Sequence, residues 1–248
     1  MRGYDATTYG ETMGDLDGLD WANAHDEEAA SEFLAGIAKG GTALELGVGT
    51  GRVALPLSEL GVAVTGVDAS PNMSARLADK CHDTSLRFVL GDFADVPVDG
   101  PFDLIYCVYN TFLLLASQES QLRCFRNVAG RLAPGGSFVV QTSVPRFDQL
   151  AQRQSTKVLR VELDRVVLMV ATHDPMNQLV ERQRIVIEND DGTKLYPMVY
   201  RYVWPSELDL MAALSGLTLA GRWNGWRYEP YSAVGGYVVV FRRPEETP

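Results

Sequence analysis

The sequence predicts an α/β fold: a doubly wound, mostly parallel seven-stranded sheet with an antiparallel β meander inserted after the fifth strand. Three observations carry that prediction. Residues 42–144 alternate short apolar runs with helical segments in small steps, and parallel strands need such crossover helices. The apolar runs are near-continuous, as expected of strands covered on both faces. After Pro145 the pattern changes to polar–apolar alternation with no helix between strands, which describes an antiparallel sheet with one wet face.

The elements follow in order. Residues 26–38 (DEEAASEFLAGIA) read as an amphipathic helix whose acidic first turn suits the helix dipole, with Gly40 and Gly41 ending it. TALELGV is a first strand closed by glycines, and a helix carrying Val53, Leu55 and Leu57 comes next. VAVTGV at 62–67 is the second strand; PNMSARLADK is a helix with Ser70 as N-cap and Pro71 at its first position. RFVLGD and DLIYCVYN are the third and fourth strands. A helix over about 117–132 leads into the Pro-Gly-Gly turn at 134–136 and a fifth strand, SFVVQTS. Meander strands are expected at 157–163, 165–173, 178–188 and 195–204. PSELDLMAALSGL returns to helix and YVVVFRR is a last strand. The expected organisation is an N-terminal helical lid at 1–41, a core at 42–145 and 205–248, and an insertion at 146–204 serving as substrate platform or subunit interface.

Composition narrows the function. The 248 residues are 46% hydrophobic and 22% charged, the balance of a globular protein. There are 22 basic and 32 acidic residues, a net charge of −10 with no basic block, so a nucleic-acid partner is not expected. No apolar run reaches the ~18 residues that span a bilayer, and the polar, acidic start resembles no secretory signal. Three cysteines without Cys-x-x-Cys spacing read as reduced thiols, so a cytoplasmic location is expected. Arg exceeds Lys 18 to 4, a bias associated with GC-rich bacterial genomes.

Glycines 47, 49 and 51 occupy the turn from the first strand into a helix, where glycine permits positive φ and lets a ligand touch the backbone. A dinucleotide fingerprint would need glycine at 52, where Arg52 stands, and no Gly-Lys-Ser/Thr follows for a P-loop. A tight turn without a ligand is the alternative. Asp68 ends the second strand, where a carboxylate accepts from ribose hydroxyls. Asp92 follows the third strand beside Phe93. That pair suits a purine, the acid accepting from the exocyclic amine and the ring packing on the base; an ordinary turn aspartate is the alternative.

In this order and spacing the motifs resemble those of the Rossmann-like S-adenosylmethionine-dependent methyltransferases, in particular bacterial small-molecule N-methyltransferases such as those acting on antibiotic amino sugars. ALELGVGTGRVALPL resembles the family's first motif, GVDAS its acidic loop, and GDFADVP its adenine-contacting motif. FDLIYCVYNTF resembles the fourth motif and LAPGGSFVV the turn after it. The resemblance covers about residues 42–144 and implies S-adenosyl-L-methionine as donor and S-adenosyl-L-homocysteine as product. It places Gly47 and Gly49 against the methionine and ribose portion, with Glu45 ordering the loop or meeting the amino group. It places Asp68 at the ribose, Met73, Asp92 and Phe93 at the adenine, and Cys107 where the fourth-motif backbone faces the methionyl group, with Ala69 also assigned to the donor.

Tyr4 and Tyr9 in YDATTYG resemble an aromatic N-terminal lid; Tyr4 is assigned to the donor, Tyr9 to both catalysis and the acceptor. The alternative is aromatic packing on the sheet. Asn110, after the fourth strand, is a candidate to hold an acceptor heteroatom, or else a helix cap. Phe112 is a candidate pocket wall or core filler. Arg201, Tyr202, Trp204 and Trp226 are candidate acceptor contacts, each with a structural alternative. Among His25, His82 and His173, His173 is the candidate base, or else a turn residue. With no evident catalytic dyad, a neutral amine is favoured over a hydroxyl, which needs a base. No metal is expected. The function expected is methylation of a small molecule on nitrogen, in bacterial secondary metabolism. The alternatives are O-methylation and a non-catalytic module binding the same nucleoside. A free meander edge would make a homo-oligomer expected as well.

Overall fold

A computed structural model describes residues 1–13, 26–81, 86–146, 152–189 and 191–245. His25 and His82 lie outside the described residues. The main sheet has seven strands: β1 Thr42–Leu46, β2 Ala63–Asp68, β3 Arg87–Leu90, β4 Phe102–Cys107, β5 Leu132–Ser143, β10 Thr218–Trp223 and β11 Gly236–Arg242. Their spatial order is β10-β11-β5-β4-β1-β2-β3. β1 through β5 pair in parallel, while β11 runs antiparallel to both β5 and β10.

Both faces of the central strands β1, β2, β4, β5 and β11 are largely buried, which is why they read as continuous apolar runs. Leu44, Leu46, Ile105, Cys107, Phe138 and Val140 face the helices α5 (Gln118–Arg131) and α6 (Pro205–Leu214). Their neighbours Ala43, Leu104, Tyr106 and Val139 face α2 (Glu27–Ala38), α3 (Ala54–Glu59) and α4 (Pro71–Ala78). The expected caps hold at α4, where the Ser70 hydroxyl accepts from Met73 N–H at 3.1 Å and Pro71 begins the helix. At α2 the end differs: Lys39 (φ 52), not glycine, takes the left-handed cap position, and its N–H bonds to the Ala35 carbonyl.

Three further differences have physical causes. β5 begins at Leu132, before the Pro-Gly-Gly segment, and a register shift against β4 absorbs those residues. α2 buries Ala30, Phe33 and Leu34 against the parallel strands, so it belongs to the core layer and is no part of a lid. The strand β10 had no place among the expected elements. Its Gly221 sits at a bulge where an added Cβ would lie 2.1 Å from the Trp223 ring, and that glycine interrupts the apolar pattern.

The insertion is a separate four-stranded antiparallel sheet, β6 Gln154–Val161, β7 Arg165–Asp174, β8 Leu179–Glu188 and β9 Gly192–Arg201, in sequential order. It leaves from the carboxyl end of β5 and returns into α6. α1 (Thr8–Met13) packs against β9 on one side and α4 on the other.

Candidate active site

A cavity of about 1390 Å³ opens at the carboxyl ends of β1, β2, β3 and β4, beneath one face of the meander sheet. Strand order reverses between β1 and β4. Open α/β sheets bind ligands in the crevice at such a point.

The turn after β1 forms one wall. Gly47 has φ +75, and a Cβ there would lie 2.3 Å from the Thr111 methyl. Gly49 has φ +52 and nothing within 4 Å of its would-be Cβ, so its backbone faces open space. The Gly49 N–H donates to Asp68 Oδ2 at 2.9 Å, and the Ser70 N–H donates to Oδ1 at 2.9 Å. Burial nevertheless pushes the Asp68 carboxyl above its ordinary pKa. Asp92 Oδ1 accepts from Ala94 N–H at 2.8 Å, while Oδ2 has no hydrogen bond among the described residues. Phe93, Ala69 and Met73 line the same region.

Glu45 forms part of the floor. It is 3% exposed and accepts from the Tyr106 hydroxyl at 3.0 Å. Burial pushes its carboxyl up to about 8. Beside it, Arg52 donates to Glu27 at 2.7 Å and lies 4.8 Å from the centroid of the Tyr109 ring. Sequence reasoning treated Arg52 as a departure from a fingerprint; its location just past the glycine turn was the available signal that it reaches the cavity.

α1 brings Tyr9 to the rim and the segment before it brings Tyr4, and burial raises the pKa of both phenols. Tyr9 also packs against Val167, Val186 and Tyr196 of the meander sheet. Glu11 fixes this helix: its carboxylate accepts from the Ser70 hydroxyl at 2.7 Å and the Asn72 N–H at 3.0 Å. Gly10 permits the approach, since a Cβ there would lie 2.3 Å from Ser70 Cβ.

β4 ends in two successive left-handed residues, Tyr109 (φ 57) and Asn110 (φ 61). Such backbone costs energy and recurs at functional sites. Asn110 lines the cavity, but its side-chain oxygen is engaged by the hydroxyls of Thr142 at 3.2 Å and Ser143 at 3.1 Å. It makes no side-chain cap bond to the 3-10 turn Thr111–Leu114. The far wall is the meander sheet, where alternate residues of each strand, including Ala171, His173, Arg182, Met198 and Tyr200, face the cavity. His173 Nε2 lies 3.1 Å from the Tyr202 hydroxyl.

Five expected residues are not brought to the cavity. Phe112 is 0% exposed and stacks edge-on against Phe125 under the 3-10 turn, so it is core. Cys107 is wholly buried toward α5; the lining of β4's end begins one residue later, at Val108. Arg201 is buried in an ion pair with Glu207 at 2.7 Å and hydrogen bonds to Gln121 and Gln178. Trp204 caps α6 and packs edge-on against Tyr202. Trp226 packs against Phe33 of α2, on the other face of the main sheet. Sequence reasoning missed Arg182, Met198 and Tyr200. Their period-2 spacing was visible, but which face of the meander turns inward was not.

Residues 43–136 match the family model described as a methyltransferase domain. The chain is 32% identical over 204 residues to the cypemycin N-terminal methyltransferase of a Streptomyces species, covering 81% of this chain and 82% of that protein. It is similar to the solved CcbJ methyltransferase from Streptomyces caelestis, with 36% identity, a TM-score of 0.89, and 97% of this chain and 100% of that one covered. The sugar N-methyltransferase KedS8 from a Streptoalloteichus species shares the fold at 19% identity and a TM-score of 0.67, covering 99% of this chain and 96% of that one.

Proposed function

The chain belongs to the S-adenosylmethionine-dependent methyltransferases, and from that premise we propose that it methylates a nitrogen of a small molecule in bacterial secondary metabolism, in the cytoplasm. The observation that carries this reading is the two-walled cavity, with a glycine turn and acids on one side and an aromatic and polar β face on the other. The relative named as an N-terminal methyltransferase supports nitrogen over oxygen.

The residues present fit the donor. Asp68 keeps lone-pair capacity beyond its backbone bonds, which suits ribose hydroxyls. The open Oδ2 of Asp92 suits the exocyclic amine of adenine, and Phe93 and Met73 suit its ring faces. The bare backbone of Gly47 and Gly49 admits the methionine and ribose portion, and Glu45 meets the amino group. S-adenosylmethionine supplies a methyl group already activated on a sulfonium, so transfer needs alignment more than a strong base.

The chain's own residues supply that alignment. Tyr4 and Tyr9 close the rim and exclude water, and an aromatic face there favours a cation. Asn110, tied to β5, fixes the end of β4 so that its backbone borders the reacting atoms. His173, held by the Tyr202 hydroxyl, takes the proton that the acceptor nitrogen gives up. A second reading, O-methylation, is favoured by that same histidine, since a hydroxyl acceptor needs a base within reach.

The test uses donor labelled with ¹³C at the methyl group and a panel of amines, amino sugars and peptides with free N-termini, each beside a hydroxylated analogue. The expected product shows the ¹³C shift of an N-methyl group. Products carrying only O-methyl signals would replace the first reading with the second.

A further inference from the structure

The meander sheet contributes charge of one sign to the cavity. Among its described lining residues Lys157 and Arg182 are cations, His173 is titratable, and none is Asp or Glu. Composition does not account for this, because the chain as a whole carries −10.

The register places the two cations on either side of a gap. Arg182 of β8 lies opposite Ala171 of β7, and Ala171 lies opposite Ser155 of β6. Lys157 is two residues further along β6, on the same face, opposite Met169. Two strand spacings separate the β6 and β8 backbones by about 10 Å, a distance that two long side chains close from both ends. On the intervening strand β7 the residue beside Arg182 is the small Ala171, and Met169 lies beside Lys157 as an apolar surface between the two cations. Arg182 is held in advance of any ligand, its guanidinium carbon 4.7 Å from the centroid of the Tyr200 ring. Neither cation has a carboxylate partner among the described residues. A half-buried guanidinium without a counter-charge favours an arriving carboxylate, whose two oxygens match its fork of donors.

We propose that the acceptor carries a carboxylate, bound beneath the meander sheet by Arg182 and Lys157, so that the substrate class is an amine joined to an acid. This rests on the methyltransferase reading of the same cavity. The anionic end is anchored on the sheet, and the amine is directed toward the donor wall.

The test compares 4-(aminomethyl)benzoate with 4-(aminomethyl)benzamide, matched in size and differing in charge. Each is titrated calorimetrically into the full chain saturated with S-adenosylhomocysteine, so that the donor's own carboxylate site is already filled. The acid is expected to bind at least tenfold more tightly than the amide. Arg182→Gln or Lys157→Gln reduces that preference several-fold, the double variant abolishes it, and all three bind S-adenosylhomocysteine as the wild type does. Equal affinity of the two probes for the wild type, binding of neither, or a preference retained in the double variant would overturn the proposal. Failure of S-adenosylhomocysteine itself to bind would instead overturn the donor site on which it rests.

Discussion

Glu45 couples the protein's stability to pH. Its carboxyl is raised from 4.5 to about 8, chiefly by burial, with the Tyr106 hydroxyl acting in the opposite direction. Because the folded value lies above the unfolded one, the associated stability is complete below the unfolded pKa and is lost as pH rises through about 8. Without donor, the wild type should lose a few kcal/mol relative to Glu45→Gln between about pH 5 and pH 9. Thermal unfolding of the two across that range checks this, and parallel curves would refute it. Phe112 makes a different prediction. Phe112→Ala should lower stability by about 3–5 kcal/mol in denaturant unfolding, as a core cavity does, while leaving the acceptor KM of the folded protein near the wild-type value. The sequence shows residue type and spacing, so Asp68, Asp92 and the glycines could be located from it. It does not show depth, so Phe112, Arg201 and Trp204 read as site residues when each is engaged in packing.

At the scale of elements, α1 is the piece whose attachment can be cut without disturbing the core. Glu11 joins it to the start of α4 through Ser70 and Asn72, and the Ser70 hydroxyl is the main reason its carboxyl sits below the ordinary value. Glu11→Ala should speed dissociation of S-adenosylhomocysteine several-fold in stopped-flow displacement, with the melting temperature within about 2 °C of wild type. An unchanged off-rate would mean that α1 does not hold the rim shut. The neighbouring α2 shows why a lid reaching residue 41 was the wrong boundary: both helices are apolar on one side, and periodicity does not say what that side meets. β10 escaped notice for a related reason, since an exposed edge strand with a bulging glycine lacks the apolar run of a buried one.

For the whole molecule, the doubly wound order followed from continuous apolar strands and the meander from alternation; both are local patterns that survive in one dimension. How the two sheets meet is not local. Arg201 at the end of β9 reaches Gln121 on α5, Gln178 before β8 and Glu207 on α6, with 3% of its surface exposed. Arg201→Ala leaves Glu207 with only the amides of Gln118 and Gln178 as partners and should cost about 2–3 kcal/mol. Donor-saturated unfolding would then show the loosened meander as a lower midpoint, and an unchanged midpoint would deny the cluster that role. The meander also departs from the core and rejoins it at the cavity rim, between Ser143 and Tyr202. The glycine-and-acid wall of the cavity and its β wall are therefore written on separate stretches of chain that share a border. On the roles proposed above, exchanging one β cassette for another would give such an enzyme a new clientele without rebuilding its methyl supply.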